Sequence, residues 1–145
     1  MSKDRVFTIN ADDVQFEDFA KKGAENVRVR YLIDERHGSN HFALRLYSVE
    51  NGGHTALDQH GYEHQVYILG GEGQLKGEDG NGPVLRALHA GDTIIIPSNA
   101  VHQFINGRDE PLVFLCVKGN PTLYAFHPTA REQTSAPGNS TRNVC

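Results

Sequence analysis

Cysteine, tryptophan and methionine are all scarce in this chain, with two, none and one copies respectively. The two cysteines, Cys116 inside an apolar run and Cys145 at the last position, cannot form a disulfide framework, so a reducing compartment is expected. Long hydrophobic runs are absent too. No stretch approaches the roughly 20 apolar residues that a membrane-spanning helix needs, and the opening "MSKDRVFTIN" lacks the apolar core of a secretory signal. The expectation is a cytoplasmic protein that does not engage a membrane. A surplus of positive charge is also missing: 14 Lys and Arg stand against 18 Asp and Glu, for a formal charge of -4. The basic residues are scattered rather than striped, which argues against nucleic acid as a partner.

Turn formers and short alternating segments are plentiful instead. Fifteen glycines and six prolines in 145 residues punctuate many short β-branched or aromatic runs, the pattern of an all-β protein. The length suits one domain with a real core. Residues 10–22, "NADDVQFEDFAKK", read as a short helix or an extended arm. From "NVRVRYLID" the period becomes two, with Val27, Val29, Tyr31 and Ile33 on one face. In "FALRLYSVENGG" the same period sets Phe42, Leu44 and Leu46 inward if Arg45 faces out, with Asn51-Gly52-Gly53 as a turn. Further strands are expected in "QVYILGGEGQL", "VLRAL", "TIIIP" and "LVFLCVKG", about eight in all, which fits a barrel or a two-sheet jelly roll. The expected division is an N-terminal arm over 1–25, a barrel over 26–127 and a flexible tail over 128–145, where Ser, Thr, Gly and Pro replace apolar residues.

The chemistry concentrates in "DQHGYEHQVYILGGEG". Asp58, His60 and His64 share one parity, so in an extended segment all three can project from one face. Downstream, "GDTIIIPSNAVHQFIN" places His102 after a proline-bounded apolar strand and a tight turn. A divalent transition metal needs three or four converging N or O donors, and two facing strands can supply them. A lone strand histidine is usually a surface or satisfied core residue, and His37, His41, His54, His89 and His127 are assigned no role. For His60, His64 and His102, packing or hydrogen bonding in a degenerate site is the competing account, weakened by the cost of burying three imidazoles. Gly70, Gly71 and Gly73 are turn residues, since no Lys-Ser/Thr follows them.

These two stretches resemble the paired motifs of the cupin superfamily. Gly53 to Gly71 is similar to its first motif and Gly91 to Asn106 to its second, with Gly91, Pro97, His102 and Asn106 in register. Asn99 takes the place of a turn glycine, and asparagine tolerates the left-handed conformation well. In the first motif Asp58 stands where a histidine is usual, and His64 where a glutamate is usual. The resemblance is nearest to small single-barrel bacterial cupins in which four imidazoles hold manganese or a similar ion, and it covers roughly Asn26 to Lys118.

The resemblance implies an all-β, double-stranded β-helix (jelly-roll) barrel with one divalent metal on Asp58, His60, His64 and His102. Mn or Fe is the first expectation, with Ni, Co or Zn also compatible. Direct ligation by Asp58 is favoured. Its short side chain leaves open a contact through water or a role in orienting His60. Phe104, on the face of His102, and Cys116, at a position that faces the pocket in the resembling subgroup, are candidate pocket residues, with core packing as the rival for each. The implied activity is that of a metalloenzyme on a small organic molecule, with an oxygenase as the first expectation. A metal-dependent isomerase or lyase, with Asp58 as base if it is not a ligand, and a non-catalytic ligand-binding or sensor barrel are the alternatives. The resemblance also implies a homodimer paired through the N-terminal strand, in keeping with the open sheet edge that "VRVRY" would otherwise leave.

Overall fold

A computed structural model describes residues 5–124. Among these, nine strands form one curled sheet with the architecture of a jelly-roll barrel. The strands are β1 (Glu17–Asp18), β2 (Glu25–Ile33), β3 (Phe42–His54), β4 (His64–Gly70), β5 (Glu72–Asp79), β6 (Gly82–His89), β7 (Thr93–Ile96), β8 (Val101–Ile105) and β9 (Leu112–Gly119). The order across the main path is β6-β5-β8-β3-β9-β4-β7, with β2 on the other edge of β3 and β1 on β2. The tail expected over 128–145 lies outside the described residues.

Residues 10–22 are an arm rather than a helix. Ala11–Asp13 make one short 3-10 turn capped by Asn10, and Glu17 and Asp18 then pair with Val29 and Arg28 of β2. The arm covers part of the β2 edge that the sequence left open. Phe19 anchors it, buried and edge-on to Tyr47 at 5.3 Å.

β3 departs from expectation twice. Asn51-Gly52-Gly53 does not reverse the chain. The strand continues to His54, and its second edge changes partner there, from β9 over Phe42 to Val49 to β8 at His54. Gly52 permits the kink with φ 72°, and a Cβ on Gly53 would sit 2.6 Å from the Glu25 carbonyl oxygen, so the close approach to β2 requires glycine. The facing is also inverted. Arg45 is buried and Phe42 is exposed, because the register sets Val49, Tyr47 and Arg45 against the buried Val27, Val29 and Tyr31 of β2. A period of two says which residues share a face, and only the partner strand says which face is inside.

The core gathers Val27, Val29, Tyr47, Val49, Ile68, Phe104, Leu112 and Phe114 among others. β9, a continuous apolar run in the sequence, alternates buried and half-buried residues over residues 112–117. The predicted left-handed turn is present: Asn99 has φ 70°, and its N–H donates to the His60 carbonyl at 2.5 Å. That bond ties the second motif to the first.

Candidate metal centre

The stretch from Asp58 to His64 is not one extended strand. Asp58 forms an isolated bridge with His102, the chain bends at Gly61 and Tyr62, and β4 starts at His64. His60 therefore reaches the site from a loop, and His64 from a strand. The bridge is reciprocal: the Asp58 N–H donates to the His102 carbonyl and the His102 N–H to the Asp58 carbonyl, each at 2.9 Å. Backbone pairing thus locks the two motifs in register before any side chain acts.

His60, His64 and His102 converge inside the barrel, with one ligating atom from each lying within 4.8 Å of the others. Their ring centroids are 5.1 to 5.3 Å apart, and all three are buried. The Nδ1 of His102 lies 2.9 Å from the Ala100 carbonyl oxygen. A carbonyl can only accept, so Nδ1 carries the proton and Nε2 presents its lone pair. The Nδ1 of His64 meets the Cys116 sulfur at 3.4 Å, while its Nε2 is buried without a hydrogen bond. Burial, reinforced by His60, His102, Lys118 and Arg45, pushes the His64 pKa well below the usual imidazole value. A neutral imidazole is the form that binds a metal. A buried ring nitrogen with no hydrogen bond and a tautomer fixed at its neighbour fit a divalent transition ion on these three residues.

Asp58 stands beside this group rather than in it. Its carboxylate takes an ion pair from Lys21 of the N-terminal arm and lies 3.9 Å from the Nε2 of His60. The Lys21 partnership was not visible in the sequence, because 37 residues separate the pair. Tyr62 was missed as well. It stacks on His60 at 4.8 Å with an interplanar angle of 5° and receives the Lys118 ammonium over its ring at 4.4 Å. Cys116 and Phe104 are both buried, but they occupy different surroundings. Cys116 touches His64, whereas Phe104 stacks on Phe114 at 4.6 Å in the apolar half of the barrel. A cleft between the β5–β6 hairpin and β7, lined by Leu75, Val84, Leu88, Ile94 and Ile96, has His102 in its wall.

The family model described as Cupin domain matches residues 45–118, which carry His60, His64 and His102. The chain belongs to the cupin family. Over 74 residues it is 38% identical to a 1-methylthio-D-xylulose 5-phosphate methylsulfurylase of Rhodospirillum rubrum, a match covering 51% of this cupin and 45% of that protein. The match therefore spans less than half of that relative's length. Among solved structures, the polyketide cyclase RemF from Streptomyces resistomycificus superposes with a TM-score of 0.73 at 29% identity, over 79% of this chain and 80% of that one. A cupin-2 domain protein from Rhodospirillum rubrum gives a TM-score of 0.65 at 27% identity, over 78% and 74% of the two chains.

Proposed function

We propose that this cupin holds one divalent transition-metal ion on His60, His64 and His102 and acts as an enzyme on a small organic molecule. The observation that carries the reading is the convergence of three buried imidazole donors within 4.8 Å, one of them with its ligating tautomer fixed by Ala100. A bound ion would supply Lewis-acid polarisation of a substrate oxygen or, as iron or manganese, a centre for oxygen chemistry. The protein's own residues contribute the rest. Tyr62 and Cys116 pack against the histidine rings, so substrate would meet a mostly desolvated site in which each polar contact is strengthened. Asp58, held by Lys21, acts from beside the imidazoles, as a base toward substrate or as a ligand once it leaves Lys21. Mn and Fe remain the first metal expectations, with a homodimer in the cytoplasm as the assembly.

An oxygenase activity is the first reading of the reaction. The second, a metal-dependent isomerase, lyase or cyclase working by proton transfer, is favoured by the likeness to a polyketide cyclase. The deciding experiment loads the protein with Fe(II) or Mn(II) and counts bound metal after dialysis. It then follows oxygen uptake and, in D2O, deuterium incorporation next to the carbonyl in a panel of phenols, diketones and ketoacids. Oxygen consumption supports the first reading and deuterium exchange without it the second. Failure to take up metal, with neither reaction, would sink both.

A further inference from the structure

His64 and His102 are oriented by unlike partners. The Nδ1 of His102 faces the Ala100 carbonyl oxygen at 2.9 Å, a backbone group that no substitution removes. The Nδ1 of His64 faces a side chain, the Cys116 sulfur at 3.4 Å. This contact follows from register. Cys116 of β9 stands opposite Val66 of β4, two residues from His64 on the same inward face, so the sulfur meets the ring diagonally across the ladder. His64 and Cys116 are each 1% exposed, which shields the contact from solvent.

A neutral imidazole carries one N–H and one bare nitrogen. The Nε2 of His64 is buried and makes no hydrogen bond, so a proton there would be a buried donor with nothing to accept it, a costly arrangement. A proton on Nδ1 instead points at sulfur, which accepts weakly but does accept, and leaves Nε2 as a lone pair. We propose that Cys116 is a positioning residue: its sulfur accepts from the His64 Nδ1–H and so fixes the tautomer and ring angle that present Nε2 to the centre formed with His60 and His102. A buried cysteine in an apolar run is ordinarily a small hydrophobe, and the ring contact is what sets Cys116 apart. Because a thiol is a weaker acceptor than a carboxylate, His64 gains orientation with little added basicity. The centre is thereby adjustable at one point, since the side chain at position 116 decides how His64 is held. The inference rests on the metal reading for what His64 binds, but the orientation of its ring does not.

The test uses the full chain and two substitutions that separate packing from hydrogen bonding. Cys116→Val keeps apolar bulk and loses the acceptor, whereas Cys116→Ser keeps an acceptor and loses apolar bulk. Nitrogen-15 NMR of the metal-free protein, with the His64 signals assigned through His64→Gln, should show the Nδ1–H form in wild type and in Cys116→Ser, and its loss in Cys116→Val. Mn(II) affinity by calorimetry should fall about tenfold or more in Cys116→Val, the scale expected when a group orienting a metal ligand is removed, and should be largely kept in Cys116→Ser. A His64 protonated on Nε2 in wild type would overturn the proposal, and this measurement needs no variant to fold. Wild-type Mn(II) affinity in Cys116→Val, or a loss in Cys116→Ser as large as in Cys116→Val, would overturn it too and leave Cys116 as a packing residue. If the protein takes up no manganese, the spectra alone decide: an Nδ1–H form that depends on the sulfur upholds the positioning role while the metal centre falls.

Discussion

The inward faces of β3 and β9 divide into two halves built from the same strands. Toward one end Val49, Tyr47, Leu112 and Phe114 pack with Val29, Ile68 and Phe104, and the rings of Tyr47 and Phe104 both stack on Phe114. Toward the other end, Arg45 on β3 and Cys116 and then Lys118 on β9 continue the same faces, beside His60, His64 and His102. The first half removes apolar surface from water and stabilises the barrel. The second buries charge and imidazole, which opposes folding unless those groups are well paired. Apolar packing gathers in one half and the imidazoles and buried charge in the other, and alternation along the same strands places both.

Breaking the apolar half should have the largest effect on folding. Phe114→Ala removes the ring on which Tyr47 and Phe104 stack and should cost about 3 to 5 kcal/mol, measured by urea denaturation. The folded fraction should still take up metal. If metal content falls further than the folded fraction does, the halves are not separable.

The reverse pattern is expected of the histidines. His64→Ala should abolish most metal binding, as counted by mass spectrometry after dialysis, while the metal-free protein melts within a few degrees of wild type. His60→Ala and His102→Ala should behave alike in metal content. A full equivalent retained by all three would refute the metal centre. The melting of the metal-free histidine variants sharpens the contrast. A fall as large as that of Phe114→Ala would mean that the polar half carries fold stability after all.

The loop and the arm should matter less. Asp58→Ala should weaken metal binding less than the histidine changes if Asp58 acts from beside the cluster, and equally if it becomes a ligand. Lys21→Met should then alter metal affinity in the direction opposite to Asp58→Ala, since it frees the carboxylate. A parallel loss in both variants would assign the pair to holding the arm in place.

Acid should have a graded effect on the metal-free protein, and its sign follows from His64. Its folded pKa lies well below the usual imidazole value, so between the two values the unfolded chain binds more protons than the folded one. Its contribution to stability is present above about pH 6.5 and is lost as the pH falls from there toward the folded pKa. Denaturation measured from pH 8 to pH 5 should show this decline, and His64→Gln should flatten it.

Much of the barrel and half of the site were legible because they depend on local patterns. The period of two in "NVRVRYLID" located β2 and set Val27, Val29 and Tyr31 on one face, and Gly91, Pro97, Asn99 and His102 announced a strand, a left-handed turn and a donor within a dozen residues. Tyr62 gave no such signal, because an aromatic residue between two histidines reads as ordinary core. The arm was ambiguous because "NADDVQFEDFAKK" has apolar residues at Val14, Phe16 and Phe19, a spacing that suits neither period over its full length.

By itself the sequence determined that short strands alternate, a consequence of side-chain spacing along the chain, and its likeness to the paired cupin motifs grouped Asp58, His60, His64 and His102 as one constellation. Tertiary structure alone decided that Arg45 and Lys118 face inward, that Gly52 and Gly53 kink a continuing strand, and that Lys21 meets Asp58. The physical reason is register. Alternation defines two faces without naming the buried one, and that choice is made by the strand hydrogen-bonded alongside: Tyr31 of β2 and Cys116 of β9 on either side of Arg45, and His64 of β4 beside Lys118.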